Sequence, residues 1–100
     1  MELKSFDRTV AATGTPEKLN PTTSEEIRAS RIILKAISTN TGNVFVGDAS
    51  GQTYPLAPGA ELQLPEMPSV NNKGSQYSMR EIYLKVSTNG NGVHVLYANY

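Results

Sequence analysis

The chain of 100 residues contains no cysteine and no tryptophan, and a single histidine, His94. Without cysteine there can be no disulfide framework, no thiolate zinc site and no thiol nucleophile. One histidine falls short of the two or three that cupin-type metal barrels project inward with a carboxylate. It also leaves little scope for a nucleophilic triad, and no GxSxG elbow occurs. An excess of charge of either sign is missing as well. Nine basic and nine acidic residues cancel, and the basic ones are spread from Lys4 to Lys85 without a cluster, so the footprint expected of a nucleic-acid binder is absent. No window approaches the roughly 18 apolar residues of a membrane helix. The opening residues MELKSFDRTV carry charges where a signal peptide needs an unbroken apolar stretch. The expectation is therefore a chain made and kept in the cytosol unless a larger assembly carries it out.

What the sequence does contain is a near-repeat. Leu34 to Val46 reads LKAISTNTGNVFV and Leu84 to Val95 reads LKVSTNGNGVHV. Each copy is a strand, a polar turn and a second strand. The Asn and Gly of TNTGN and of Asn89-Gly90-Asn91-Gly92 tolerate the backbone angles of a tight turn, and each copy is expected to close on itself as a hairpin. A two-stranded ribbon cannot bury its apolar face alone, so two ribbons are expected to stack face to face. The glycines after Asn89 superficially resemble a phosphate cradle, but no Lys-Ser/Thr and no helix follow.

Strand-period alternation recurs along the chain. Phe6, Arg8 and Val10 oppose Asp7, Thr9 and Ala11 in a first strand expected over about residues 3–12. Glu17 to Leu19 is a short bridge to the next layer, ended by Asn20-Pro21. Ile32, Leu34 and Ala36 share one face of a strand over 30–38, and Val44 to Val46 is the return strand. Gln52 to Tyr54 is a brief strand broken by Pro55. Ala60 to Leu64 alternates again. Ile82, Leu84 and Val86 point inward, as do Val93, Val95 and Tyr97, with His94 and Leu96 opposite. Pro65 to Ser78 is the longest loop. The helix candidate is TTSEEIRAS, where Thr23 and Glu26 have capping-box spacing, but its apolar run is too short for a helical face and an irregular lead-in to the next strand is the preferred reading. The pattern predicts one all-β domain over residues 1–100: a two-sheet antiparallel sandwich, jelly-roll-like, with about eight short strands.

Candidate chemistry is sparse. His94 reads as a half-exposed strand residue. The pairs Glu25-Glu26 and Glu61 with Glu66 read as solvated charge, since nearness in a loop says little about the carboxylate separation a glycosidase needs. Tyr54, Tyr77 and Tyr83 are the rings on which a sugar could stack, although strand edges and subunit contacts also enrich tyrosine. No catalytic residue, metal or cofactor is expected.

Three segments, Ile33 to Gly47, Tyr54 to Leu62 and Ile82 to Tyr97, resemble small tailed-phage virion proteins. In that family a strand leads into NTG, then a V-x-V-G strand, an L-x-P-G turn, and finally a hairpin whose last strand is V-x-V-L. The resemblance implies a jelly-roll protein on the virion surface, assembled in the host cytoplasm. It would act as a capsid decoration or cement protein, with the major capsid protein as partner and a homotrimer as the favoured assembly. A receptor- or carbohydrate-binding module, or a head-fibre or tail component, is the alternative. A degenerate cupin or lyase fails on ligand count. Under the decoration reading residues 1–7 form an interacting N-terminal arm, because terminal strands can pair with exposed sheet edges. Leu3, Phe6 and Tyr77 are the expected partner-binding residues, and loss of Met1 to Ser5 is expected to weaken capsid binding more than folding.

Overall fold

Apolar residues at every second position can be buried only by strands that turn one face inward, and this alternation governs the computed structural model, which describes residues 2–20, 25–65, 69–70, 73–74 and 76–99. None of the described residues is helical. The strands are β1 (Glu2–Thr9), β2 (Glu17–Lys18), β3 (Arg28–Ala29), β4 (Arg31–Ala36), β5 (Val44–Asp48), β6 (Gly51–Leu56), β7 (Glu61–Leu64), β8 (Ser69–Val70), β9 (Lys73–Gly74), β10 (Tyr77–Ser78), β11 (Tyr83–Val86) and β12 (Gly92–Asn99). Two four-stranded antiparallel sheets, in the orders β1-β12-β4-β7 and β2-β11-β5-β6, carry the fold, and β3 with β10 and β8 with β9 form two-stranded additions.

Among the eight strands of the two large sheets, the first pairs the last, the second the seventh, the third the sixth and the fourth the fifth. This is one long antiparallel ribbon rolled up, the jelly-roll arrangement expected from the sequence. Between the sheets lie Ile32, Leu34, Ala36, Val93 and Val95 from the first, against Val44, Val46, Leu56, Leu84 and Val86 from the second. Val10, Leu19, Ala29 and Met79 fill the remaining core.

The repeated segments do not form two hairpins. Within each copy the strands belong to different sheets: β4 and β5 are on opposite sides of the core, and so are β11 and β12. Pairing runs between the copies instead. Leu34 faces Val95 and Ala36 faces Val93 in the first sheet, while Leu84 faces Val46 and Val86 faces Val44 in the second. Aligned on the repeat, these are the same pairs with the copies exchanged, so the core is quasi-twofold. The alternation puts the same residues inward whether a strand pairs with its neighbour in the chain or with the other copy, and therefore could not choose between the two. The choice is enforced by the crossover turns, residues 37–43 and 87–91, which interlock. The Asn40 Nδ2 donates to the Gly92 carbonyl (2.9 Å) and the Gly92 N–H donates to Asn40 Oδ1 (3.1 Å). The Thr41 N–H donates to Asn91 Oδ1 (3.3 Å). Gly92 must lack a side chain, because a Cβ there would strike the Arg8 carbonyl and Thr9 Cα (2.7 Å) of β1.

Other expectations shift in detail. Pro55 does not break its strand. β6 runs through it as an edge strand, where a missing N–H leaves no ladder bond unmade. The segment from Pro65 to Ser78 is not loop throughout, since β8, β9 and β10 fall within it. Thr23 of the proposed capping box lies outside the described residues. Its partner Glu26 is not helical; it accepts from the Ser78 hydroxyl and from Arg28 Nε (3.2 Å). The Asn20 amide closes this stretch by accepting from the Ile27 N–H (2.8 Å) and donating to the Glu25 carbonyl (2.9 Å).

Candidate functional site

The register of the first sheet organises its outer face into rows. Outward residues on β1 are those that alternate with the inward-facing Phe6 and Arg8, so across the four strands Asp7, His94, Lys35 and Glu61 lie side by side. The adjacent row is Ser5, Leu96, Ile33 and Gln63, and the next is Leu3, Ala98 and Arg31. Leu3 is 66 % exposed and Leu96 38 %, large apolar side chains that contribute little to the core and leave an oily strip beside a polar one. The polar row places carboxylates at the two sheet edges with His94 and Lys35 between them. His94 Nδ1 lies 2.6 Å from Asp7 Oδ1, and Gln63 Nε2 donates to Glu61 Oε1 at 2.7 Å.

The expected partner-binding residues do not share one surface. Leu3 stands on the outer face. Phe6, one face over, turns toward the core edge and meets Tyr97 edge-on, with ring centroids 5.9 Å apart and planes at 69°. Tyr77 is on β10, packed against the core, and its hydroxyl donates to the Pro65 carbonyl (2.7 Å). Residues 2–7 of the expected arm are the greater part of β1, paired along their length with β12 and forming the outer strand of the sheet among the described residues. Deletion of Met1 to Ser5 would remove half of the eight cross-strand pairs of β1, so it would disturb folding along with any docking.

Arg8 serves the sandwich itself. Its guanidinium donates to Glu17 Oε1 (3.1 Å), to the Lys18 carbonyl (3.0 Å) and to the Thr9 carbonyl (2.6 Å), while Glu17 Oε2 accepts the Ala11 N–H (2.8 Å). This ties β1 to β2 across the open end of the two sheets. Two carboxyls titrate below their ordinary range. Asp48 is held there by the Ser50 hydroxyl and by the Ser50 and Gly51 N–H groups of its own turn. Glu26 is held by the Ser78 hydroxyl, with burial opposing and Arg28 assisting.

Among the described residues no group of three or more histidines and carboxylates gathers as metal ligands. The Asp7–His94 contact and the strip around Leu96 escaped the sequence, because both depend on which residue of β1 faces which residue of β12 across nearly the whole chain. The alternation signalled that His94 and Leu96 share the outer side, and no more. Compared with known proteins, the chain matches no family model, no curated protein and no solved structure.

Proposed function

We propose that this chain is a non-enzymatic structural protein of a phage particle, a decoration or cement protein that docks on the capsid exterior as a homo-oligomer, a trimer being favoured. The observation that carries the reading is the outer face of the first sheet, where Leu3 and Leu96 are exposed beside the Asp7–His94–Lys35–Glu61 row. An apolar strip rimmed by charges of both signs is the composition of a docking patch, with burial supplying affinity and the charges fixing orientation. Further support comes from the resemblance of Ile33 to Gly47, Tyr54 to Leu62 and Ile82 to Tyr97 to small tailed-phage virion proteins, since these segments supply strands of both sheets. As the outer strand of its sheet among the described residues, β1 offers a neighbouring subunit a strand to extend.

The work done is mechanical. A packed capsid is under internal pressure, and a rigid sandwich seated where capsid subunits meet adds contact area that must separate before the shell opens. A standard interface buries about 1,600 Å², and repeating a modest contact over many equivalent sites strengthens the whole. The test adds purified protein to phage heads assembled without it and measures co-sedimentation. Saturable binding is expected, reduced roughly tenfold or more by Leu3→Asp with Leu96→Asp, the effect of about 1.4 kcal/mol or more per head site. Thermal stability should be kept, because neither side chain is in the core. Wild-type protein that stays in the supernatant, or a double variant that binds undiminished, would overturn the proposal.

A further inference from the structure

The opposite face of the sandwich, on the second sheet, carries a cleft that the docking role does not use. Its walls are two turns. Asp48, Ala49 and Ser50 of the β5–β6 turn stand on one side and Arg80 and Glu81 on the other, with Tyr83 at the start of β11 between them, around a space of about 600 Å³. The residue paired with Tyr83 on β5 is Gly47, which sits at a bulge where a Cβ would collide with the Gly51 carbonyl and Gln52 Cα (2.8 Å). The Gly51–Gln52 backbone fills the space a side chain at Gly47 would take, so the neighbour of Tyr83 across the ladder is backbone and not a second side chain. Asp48 Oδ1 is engaged by three donors of its own turn, which holds this wall in place.

A second, smaller hollow of about 280 Å³, lined by Phe45, Gln52, Thr53 and Lys85, lies along the same strands. Phe45 faces Lys85 across the ladder and Tyr83 faces Gly47, so Phe45 and Tyr83 are diagonal neighbours on one face, the placement from which two rings can serve one ligand. We infer that this face binds a neutral saccharide of two or more units, with Tyr83 as the platform in the larger cleft, Phe45 in the smaller, and Glu81 and Arg80 as hydrogen-bonding partners for hydroxyl groups. The chemistry follows from the lining. A sugar offers C–H faces to an aromatic ring and hydroxyls at its rim, and carboxylate and guanidinium groups make the stronger hydrogen bonds to such hydroxyls. The larger space is by itself within the range of small-ligand sites. The inference is independent of capsid docking, which uses the other sheet.

The experiment is a titration of isotopically labelled full-length protein with maltose, lactose, cellobiose and N,N′-diacetylchitobiose, followed by amide chemical shifts. At least one sugar is expected to give saturable shifts centred on Ser50, Glu81 and Tyr83, with affinity reduced roughly tenfold by Glu81→Gln, the loss expected for one hydrogen bond to a charged group, and abolished by Tyr83→Ala. Glu81 is exposed on a turn, so its variant tests the site even if Tyr83→Ala fails to fold. No saturable shift with any of the four sugars, shifts centred elsewhere, or an affinity unchanged in Glu81→Gln would each overturn the inference.

Discussion

The side-chain amide of Asn40 grips both backbone polar groups of Gly92, accepting from its N–H and donating to its carbonyl. The Ile37 N–H adds a third bond to the same carbonyl. One asparagine thereby fastens the crossover after β4 to the first residue of β12, and with it the pairing of one repeat copy against the other. Replacing Asn40 by Ala removes two hydrogen bonds, leaving the Gly92 carbonyl its bond from Ile37 but taking the Asn40 acceptor from the N–H of this buried residue, which should destabilise the fold by about 2 kcal/mol. Urea unfolding measures this directly, and a loss below a few tenths of a kcal/mol would show that the turns hold without the clamp.

Gly92 allows β1 to approach closely, and Gly92→Ala pushes a methyl group against the backbone at Arg8 and Thr9. Overpacking of this kind typically costs about 1–3 kcal/mol. The strain should be relieved by loosening the end of β1, so hydrogen exchange is expected to quicken at Arg8 and Thr9 well before it does at Leu34 or Leu84.

The quasi-twofold core makes a quantitative prediction about equivalent residues. Leu34 and Leu84 are both fully buried and occupy matching places in the two copies. Truncation of either to Ala should cost about 3 kcal/mol, and the two values should agree to about 1 kcal/mol. Calorimetry of the two variants side by side would reveal any larger asymmetry, which would mean the sheets are not energetically equivalent.

Arg8 and Glu17 join the sheets where β1 gives way to β2. Glu17→Gln keeps the shape and removes the charge, so a loss of about 1 kcal/mol is expected, most of it eliminated at high salt. A loss unaffected by salt would assign the effect to the Ala11 N–H bond instead of the ion pair.

Asp48 and Glu26 have carboxyls whose ionised forms are favoured in the folded chain, Asp48 by Ser50 and Glu26 by Ser78. Their folded-state pKa values are depressed, so the stability they add is complete above the ordinary carboxylate range and is lost as pH falls through the folded values. Melting temperature followed from about pH 7 to about pH 2 should fall on the acid side, and Asp48→Asn should flatten that descent. An identical acid limb in the variant would remove Asp48 from the account.

Much of the architecture was legible along the chain. Alternation at Ile32, Leu34, Ala36 and at Val93, Val95 identifies strands with one apolar face, and turn residues at Pro58-Gly59 and Asn89-Gly90 separate them, because side-chain direction and turn geometry are local properties. How far each side chain is exposed was less so. Leu3 was singled out and is exposed, whereas Phe6 and Tyr77 turned toward the core, since a strand's pattern says which residues share a side without saying how much of each neighbouring strands will cover.

By itself the sequence determined that the chain forms an antiparallel sandwich with inward aliphatic faces, since period-two burial admits no other secondary structure. Tertiary structure alone decided partnership. The two copies of the repeat pair with each other across separate sheets, Asp7 meets His94, and Tyr83 meets Gly47. Each of these depends on register between distant strands, which interlocking turns and close backbone approaches fix, and no stretch of chain encodes it alone.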